Sequence, residues 1–352
     1  MKKALALILC LCMVLAMCAC GKTGTPASEA PASEAPASEA PTGKIDFEPQ
    51  TVKLAHVAAE DSGLNQALLE FARLVNERTN GDITIDVSAG GILGTEPELK
   101  EMLSVGTIQM TSMGWSLLTN KLSYSIAYFG YYLMLDRDEL NAFYDSETAQ
   151  LFYDAYEKTT GVRVIGHSFY QAARNLMANK PIENLDDLKG FKIRTPNGVA
   201  VDIESWSAWN CSPVPMALSE VYTALEQGVV DGVECPCSYL CNYGFADAGA
   251  KYLMISQHQI YNNLLGVNAE WFDSLPTEYQ EIIIEAEKEA GELCKKLEME
   301  QEQAYIDKMV NEQGVTVIEW SDEFKQQLKE MVAPVYEENM KLAIEEANAL
   351  LG

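Results

Sequence analysis

Apolar side chains recur at helical spacing from Leu64 through Leu68, Phe71 and Leu74 to Val75, and the run stops at Asn80-Gly81. That spacing puts them on one face of a helix, and Asn-Gly readily leaves helical backbone. On either side the chain reads as β-type: Thr51 to His56 is one short strand, Ile83 to Val87 alternates as a second, Gly90-Gly91 is a turn, and Glu96 to Leu103 is another helix. Ile108-Gln109-Met110 opens a third strand and Val162 to Ile165 a further one. Strand and helix taking turns at this pitch predict α/β lobes with mainly parallel sheets. The stretch from Ile45 to Gly352 is too long for one simple core and fits two lobes. Thr277 to about Val310 is a long, strongly charged helical pattern with Pro276 near its start, as expected for a helix leaning across both lobes. Its apolar spacing never settles into heptads, which argues against a coiled coil.

The N-terminus has a different pattern. Lys2 and Lys3 precede an apolar run from Ala4 to Ala19, long enough for a signal-peptide core and too short for a membrane span. Cys20, followed by Gly21-Lys22, matches the acylated position of a bacterial lipoprotein signal, although Met17 and Cys18 depart from the usual pattern; an ordinary secretory cut nearby is the alternative. From Ala27 to Pro41 the pentapeptide Ala-Ser-Glu-Ala-Pro occurs three times. With no large apolar side chain to bury and a proline in every repeat, it reads as an extended, solvated spacer, with a proline-motif ligand as the other option. The expected organisation is a signal peptide at 1–19, a lipidated cysteine and linker at 20–44, lobe I at 45–171 plus about 260–299, and lobe II at 172–259 plus about 300–352. Such a chain is exported to the periplasm or the outer face of the cytoplasmic membrane, and a lipid would tether it there without spanning the bilayer.

The formal charge is −27, or −29 once Lys2 and Lys3 are removed. Nucleic acid and anionic bilayers are excluded as direct partners by repulsion. An anionic ligand would need local arginines to overcome the overall field. The three histidines, His56, His167 and His258, are far apart and form no triad or metal motif. Gly90-Gly91-Ile92-Leu93-Gly94 follows a strand but lacks the lysine and hydroxyl residue that grip phosphate. Nothing here calls for an enzyme, a cofactor or a metal. Beyond the cleavage region five cysteines remain, Cys211, Cys235, Cys237, Cys241 and Cys294. Spacing leaves their state open among buried thiols, a disulfide, and a soft-metal site at Cys235-Pro236-Cys237 with Cys241.

Two arginines carry the candidate chemistry. Arg194 ends the Phe191-Lys192-Ile193 run, and Arg174 lies in Gln171-Ala172-Ala173-Arg174-Asn175-Leu176, both where β-type segments deliver side chains to a sheet edge. A guanidinium holds a carboxylate through two parallel hydrogen bonds, a geometry lysine cannot copy.

Several blocks then occur in one order: Ala89 to Gly94 with Glu96, Leu185-Asp186-Asp187-Leu188-Lys189-Gly190-Phe191-Lys192-Ile193-Arg194, Pro213 to Gly232, Lys251-Tyr252-Leu253 with His258, and Trp271 to Pro276. Over nearly the whole mature domain the chain resembles the dicarboxylate-binding-type solute-binding proteins of tripartite ATP-independent (TRAP) transporters. The resemblance implies a two-lobed fold like that of periplasmic binding proteins, which captures a small organic acid between the lobes and delivers it to a TRAP-type membrane permease. It gives Arg194 the ligand carboxylate and makes Arg174 a second anion contact. Glu96 and Trp115 take first-lobe cleft positions, Leu218 a wall, and His56 the first strand end.

The family usually has Asn-Pro after Asp231-Gly232-Val233-Glu234, with the asparagine facing the ligand, and here Cys235-Pro236 stands. Leu218 replaces a common phenylalanine. Both changes make the expected pocket less polar or differently shaped, so the ligand need not be a C4-dicarboxylate or a sugar acid. Trp206 and Trp209 read as core before ligand stackers. Two rival readings keep the same shape: the binding protein of an ATP-driven importer, and a surface receptor or enzyme using Cys235 as nucleophile.

Overall fold

The computed structural model describes residues 46–352; the apolar run Ala4 to Ala19, Cys20 and the Ala-Ser-Glu-Ala-Pro repeats lie outside them. The chain begins with β1 (Gln50–Ala55), α1 (Gly63–Arg78), β2 (Ile83–Ser88), α2 (Glu96–Ser104) and β3 (Met110–Met113), then runs through α3 (Arg137–Tyr144) and α4 (Glu147–Thr160) into β4 (Val162–Phe169). A second series follows: β5 (Arg174–Ala178), α5 (Leu185–Leu188), β6 (Lys192–Thr195), α6 (Ala200–Ala208), β7 (Ser212–Pro215), α7 (Val221–Glu226), β8 (Gly232–Pro236), α8 (Cys237–Asn242) and β9 (Tyr252–Gln259). The chain ends with β10 (Asn263–Asn268), α9 (Ala269–Asp273), α10 (Thr277–Asn311), β11 (Thr316–Glu319) and α11 (Asp322–Leu351).

These strands form two sheets, one ordered β2-β1-β3-β10-β4 and the other β11-β9-β5-β8-β6-β7. Each is parallel except for one reversed strand, β10 in the first and β5 in the second, which run antiparallel to both neighbours. The sheets are therefore less uniformly parallel than alternation predicts. The reason lies in the connections: β4 passes directly into β5 and β9 directly into β10, so the chain crosses between sheets twice with no helix to restore its direction. The two crossings lie side by side, since Arg174 pairs with Gln259 across the start of β5 and the end of β9.

Local sequence explains the main boundaries. Ser62 caps α1 by accepting from Asn65 N–H, and Asn80 and Gly81 follow its end with positive φ. Thr95 and Glu98 form a capping box at α2. Pro213 and Pro215 are tolerated in β7 because that strand is an edge and need not donate on its outer side.

The long helix α10 packs on α1, β4 and α8, and so touches elements attached to both sheets. Its close approach to β4 needs small residues: a Cβ on Gly291 would lie 2.3 Å from Ser168 Cβ. At the same contact Glu287 is buried and accepts from Ser168 N–H at 2.7 Å and from its hydroxyl at 2.9 Å. The C-terminal helix α11 packs on both α4 and α6. Its Phe324, Leu328, Val332 and Tyr336 join Trp115, Phe129, Trp206 and Trp209 in one buried cluster. Trp206 and Trp209 are fully buried, with their indole N–H groups bonded to Tyr131 Oη and the Leu328 carbonyl, and so are core residues.

Candidate ligand-binding site

A cavity enclosing about 130 Å³ opens where the two crossings meet both sheets. An apolar cavity of about 150 Å³ admits benzene, so the space suits a small organic molecule. One wall comes from the β1, α2 and β3 side through Gly91, Glu96, Lys100 and Ser112; the other carries Arg194, Asp202, Leu218, Cys235 and Tyr239. Gln171, Arg174, Gln259, Tyr261 and Asn263, on or beside the crossings, form the floor. Two hydrogen bonds bridge the walls: Tyr243 Oη donates to the Val57 carbonyl at 2.8 Å, and Asn242 Nδ2 to Asp61 Oδ1 at 3.1 Å.

The alternation of β6 aims Arg194. Ile193 enters the core, so its neighbour points to the opposite face. Arg194 is 5% exposed, and its Nε donates to the Met216 carbonyl at 3.1 Å. Its two terminal nitrogens have no protein acceptor within reach among the described residues, and it makes no ion pair there. A buried guanidinium with its fork open in a cavity has the geometry to hold a carboxylate through two parallel hydrogen bonds.

Arg174 lines the same space in a different condition. Glu234 clamps it with both carboxylate oxygens, Nη2 to Oε1 at 2.7 Å, while Tyr261 Oη accepts from Nη1 at 2.6 Å and the Glu234 carbonyl from Nη2 at 3.0 Å. Burial would push the Glu234 carboxyl up, but the Arg174 charge and the His258 bond outweigh it and hold it well below the usual carboxylate range. His258 lies behind, with Nε2 3.3 Å from Glu234 and Nδ1 2.8 Å from Ser256 Oγ. Burial lowers the pKa of this imidazole, against the pull of Glu234. Gly114 admits the Tyr261 ring, since a Cβ there would meet Tyr261 Cε2 at 2.4 Å. Arg174 is thus neutralised and fixed in place.

Glu96, Leu218 and Cys235 line the cavity with the two arginines. The Glu96 carboxylate accepts from Ser116 Oγ at 3.2 Å. Burial pushes the Cys235 thiol up to about 11, which leaves it a poor nucleophile at neutral pH. All five described cysteines are unpaired and buried, and no cluster of metal-ligating side chains occurs among the described residues. Two expected site residues lie outside the lining. The Trp115 ring turns from the cavity into an aromatic cluster, 4.6 Å from Phe129, and its Nε1 donates to Ser125 Oγ. His56 is buried behind the end of β1 against Asn65 Oδ1 at 3.1 Å, with burial lowering its pKa to about 4.

Several lining groups carry no sequence signal. Lys100 is buried and donates to the Ser116 carbonyl, and burial lowers its pKa while Glu96 partly restores it. Asp202 is 5% exposed. Burial and the nearby Glu234 charge raise its carboxyl to about 7, against the opposing effects of Arg174, Tyr131 and Arg194. In a chain with 52 acidic residues, nothing marks this one beforehand.

Residues 54–342 match the profile of the bacterial extracellular solute-binding protein family 7. A solute-binding protein of Sulfitobacter sp. strain NAS-14.1 is 30% identical over 278 residues, 78% of this chain and 82% of its own. The C4-dicarboxylate-binding periplasmic protein DctP of Rhodobacter capsulatus is 26% identical over 304 residues, 83% of this chain and 86% of its own. Among solved structures, a TRAP periplasmic solute-binding protein of Sulfitobacter sp. NAS-14.1 with bound β-D-galacturonate superposes with a TM-score of 0.76 at 25% identity, covering 86% of this chain and 98% of the other. One of Haemophilus influenzae with bound L-gulonate gives a TM-score of 0.76 at 26% identity, covering 85% and 99%.

Proposed function

The chain belongs to family 7 of the bacterial extracellular solute-binding proteins, and on that premise we propose that it captures a small organic acid by an Arg194–carboxylate clamp and delivers it to a TRAP-type membrane permease. The observation that carries the reading is the open fork of Arg194, buried in a cavity between the two sheets and held by Met216. Arg174, saturated by Glu234 and Tyr261, acts as a positioning residue that shapes the floor and adds at most one further donor. Glu96, Leu218 and Cys235 complete the walls. The bound acids named for the structural relatives, galacturonate and gulonate, each carry one carboxylate and support a ligand of that kind.

The two sheets correspond to two lobes, and capture proceeds by their closure about the crossings, with Tyr243–Val57 and Asn242–Asp61 as latches. Closure is favoured only as far as the closed form holds the acid better. Cys20 tethers the chain at the membrane face through a lipid, with the repeats as spacer. The test is a thermal-shift and calorimetric screen of organic acids: an acid that raises the melting temperature in proportion to its occupancy supports the reading, and a chain inert to every mono- and dicarboxylate overturns it. Vesicles carrying the cognate permease should accumulate that acid only with this protein and an ion gradient; uptake that instead requires ATP hydrolysis would overturn the TRAP assignment.

A further inference from the structure

Beside Arg194 the cavity presents hydrogen-bond acceptors. Asp202, 5% exposed on α6, lines the cavity with its carboxyl. Gln171, 6% exposed, gives its Nε2 to Asn263 Oδ1 at 3.4 Å, while its Oε1 is buried with no partner among the described residues. Ser112 Oγ, at the end of β3, is likewise buried and unpartnered. Glu96 adds a carboxylate from the opposite wall. Among the described cations lining the cavity, Arg194 has its fork open, Arg174 is held by Glu234, and Lys100 gives one of its donors to the Ser116 carbonyl and lies near Glu96.

A buried acceptor without a donor costs about 1–3 kcal/mol. Water can serve it in an open cavity, but a ligand that expels the water must bring donors of its own. A second carboxylate brings none at neutral pH and adds negative charge beside Glu96. A hydroxyl or an ammonium group brings what the wall lacks.

We infer that the acid bound here has a single carboxylate, seated on Arg194, and hydrogen-bond donors at its other positions that go to Asp202 and Gln171: a hydroxy- or amino-monocarboxylate, and not a dicarboxylate. This rests on the Arg194 reading and narrows it. Asp202 and Gln171 are then the specificity-determining residues. The charge of the chain, −27, acts in the same direction, since it penalises a dianion more than a monoanion or a zwitterion.

The experiment is calorimetric titration of the purified chain with four probes: butyrate and succinate, which carry no donors, D-gluconate, which carries hydroxyls, and L-threonine, which carries an ammonium and a hydroxyl. Gluconate or threonine should bind about tenfold or more tighter than either bare acid, and which of the two does so identifies the donor. Succinate binding as tightly as both donor-bearing acids, or no advantage of either over butyrate, overturns the inference. Asp202→Asn and Gln171→Met should each reduce the advantage of the donor-bearing acid over butyrate; a loss shared equally by all four acids would mean a merely structural role and count against it. Arg194→Gln separates the two readings. Selectivity surviving in that variant would sink the Arg194 clamp and leave the donor argument standing. A general loss of binding with succinate preferred in the wild type would do the reverse.

Discussion

Arg194 Nε donates to the Met216 carbonyl at 3.1 Å, which fixes the plane of the guanidinium and leaves its two terminal nitrogens for a ligand. Lysine keeps the charge and loses both the anchor and the fork. Arg194→Lys should therefore weaken binding of the cognate acid by about tenfold or more while leaving thermal stability of the free chain nearly unchanged. Calorimetry with the tightest acid checks it, and unchanged affinity would remove Arg194 from the site.

The Arg174–Glu234 pair lies almost wholly out of water, with side chains 7% and 1% exposed. Removing one charge strands the other. Glu234→Gln should cost about 3–5 kcal/mol of unfolding free energy in urea titrations, and Arg174→Met added to Glu234→Gln should recover part of that loss. A variant as stable as wild type would show that the pair contributes nothing to the fold.

Sequence reading succeeds here where the signal is local. The period of Leu64 to Val75 and the Asn80-Gly81 stop give α1, and Pro276 followed by a charged helical run gives α10, because propensity and capping act within a few residues. The strand that carries Arg194 is legible for the same reason, as a short β-run. What fails is long-range. Glu234 is 60 residues from Arg174, and no spacing rule pairs them, so the expectation of a second anion contact at Arg174 does not include the carboxylate that holds it. Trp115 shows a related limit: the family resemblance gives it a cleft position, while its ring turns the other way, into Phe129 and Phe143. Asp202 and Gln171 reach the cavity only through the packing of α6 and the first crossing.

Glu298, on α10, is 4% exposed and accepts the Leu64 N–H at 3.3 Å at the start of α1. Burial raises its carboxyl from 4.5 to about 7, partly opposed by that hydrogen bond. In this window the folded chain binds the proton more tightly than the unfolded one. The contribution to stability is thus full below pH 4.5, declines as pH rises through 7, and stays lost above it. Glu298→Gln keeps an acceptor and removes the charge. Urea titrations should find it more stable than wild type at pH 8.5, by on the order of 2–3 kcal/mol, with the difference shrinking towards pH 5. A difference independent of pH would contradict the assignment.

Gly291 tests how α10 meets β4. In an open helix Gly→Ala stabilises by about 1 kcal/mol, but here the added Cβ would sit 2.3 Å from Ser168 Cβ and 2.7 Å from its carbonyl oxygen. Overpacking of this kind costs about 1–3 kcal/mol, and the backbone contact leaves little room to yield. Gly291→Ala should lower the melting temperature; an increase would mean that the helix stands further from the strand.

The most direct measurement is a crystal structure of the chain with its tightest-binding acid. The account predicts both carboxylate oxygens of the ligand within hydrogen-bonding distance, about 2.7–2.9 Å, of the two terminal nitrogens of Arg194, with Arg174 still held by Glu234. A ligand whose carboxylate rests on Lys100, or that displaces Glu234 to take Arg174 while the Arg194 fork stays empty, would contradict it.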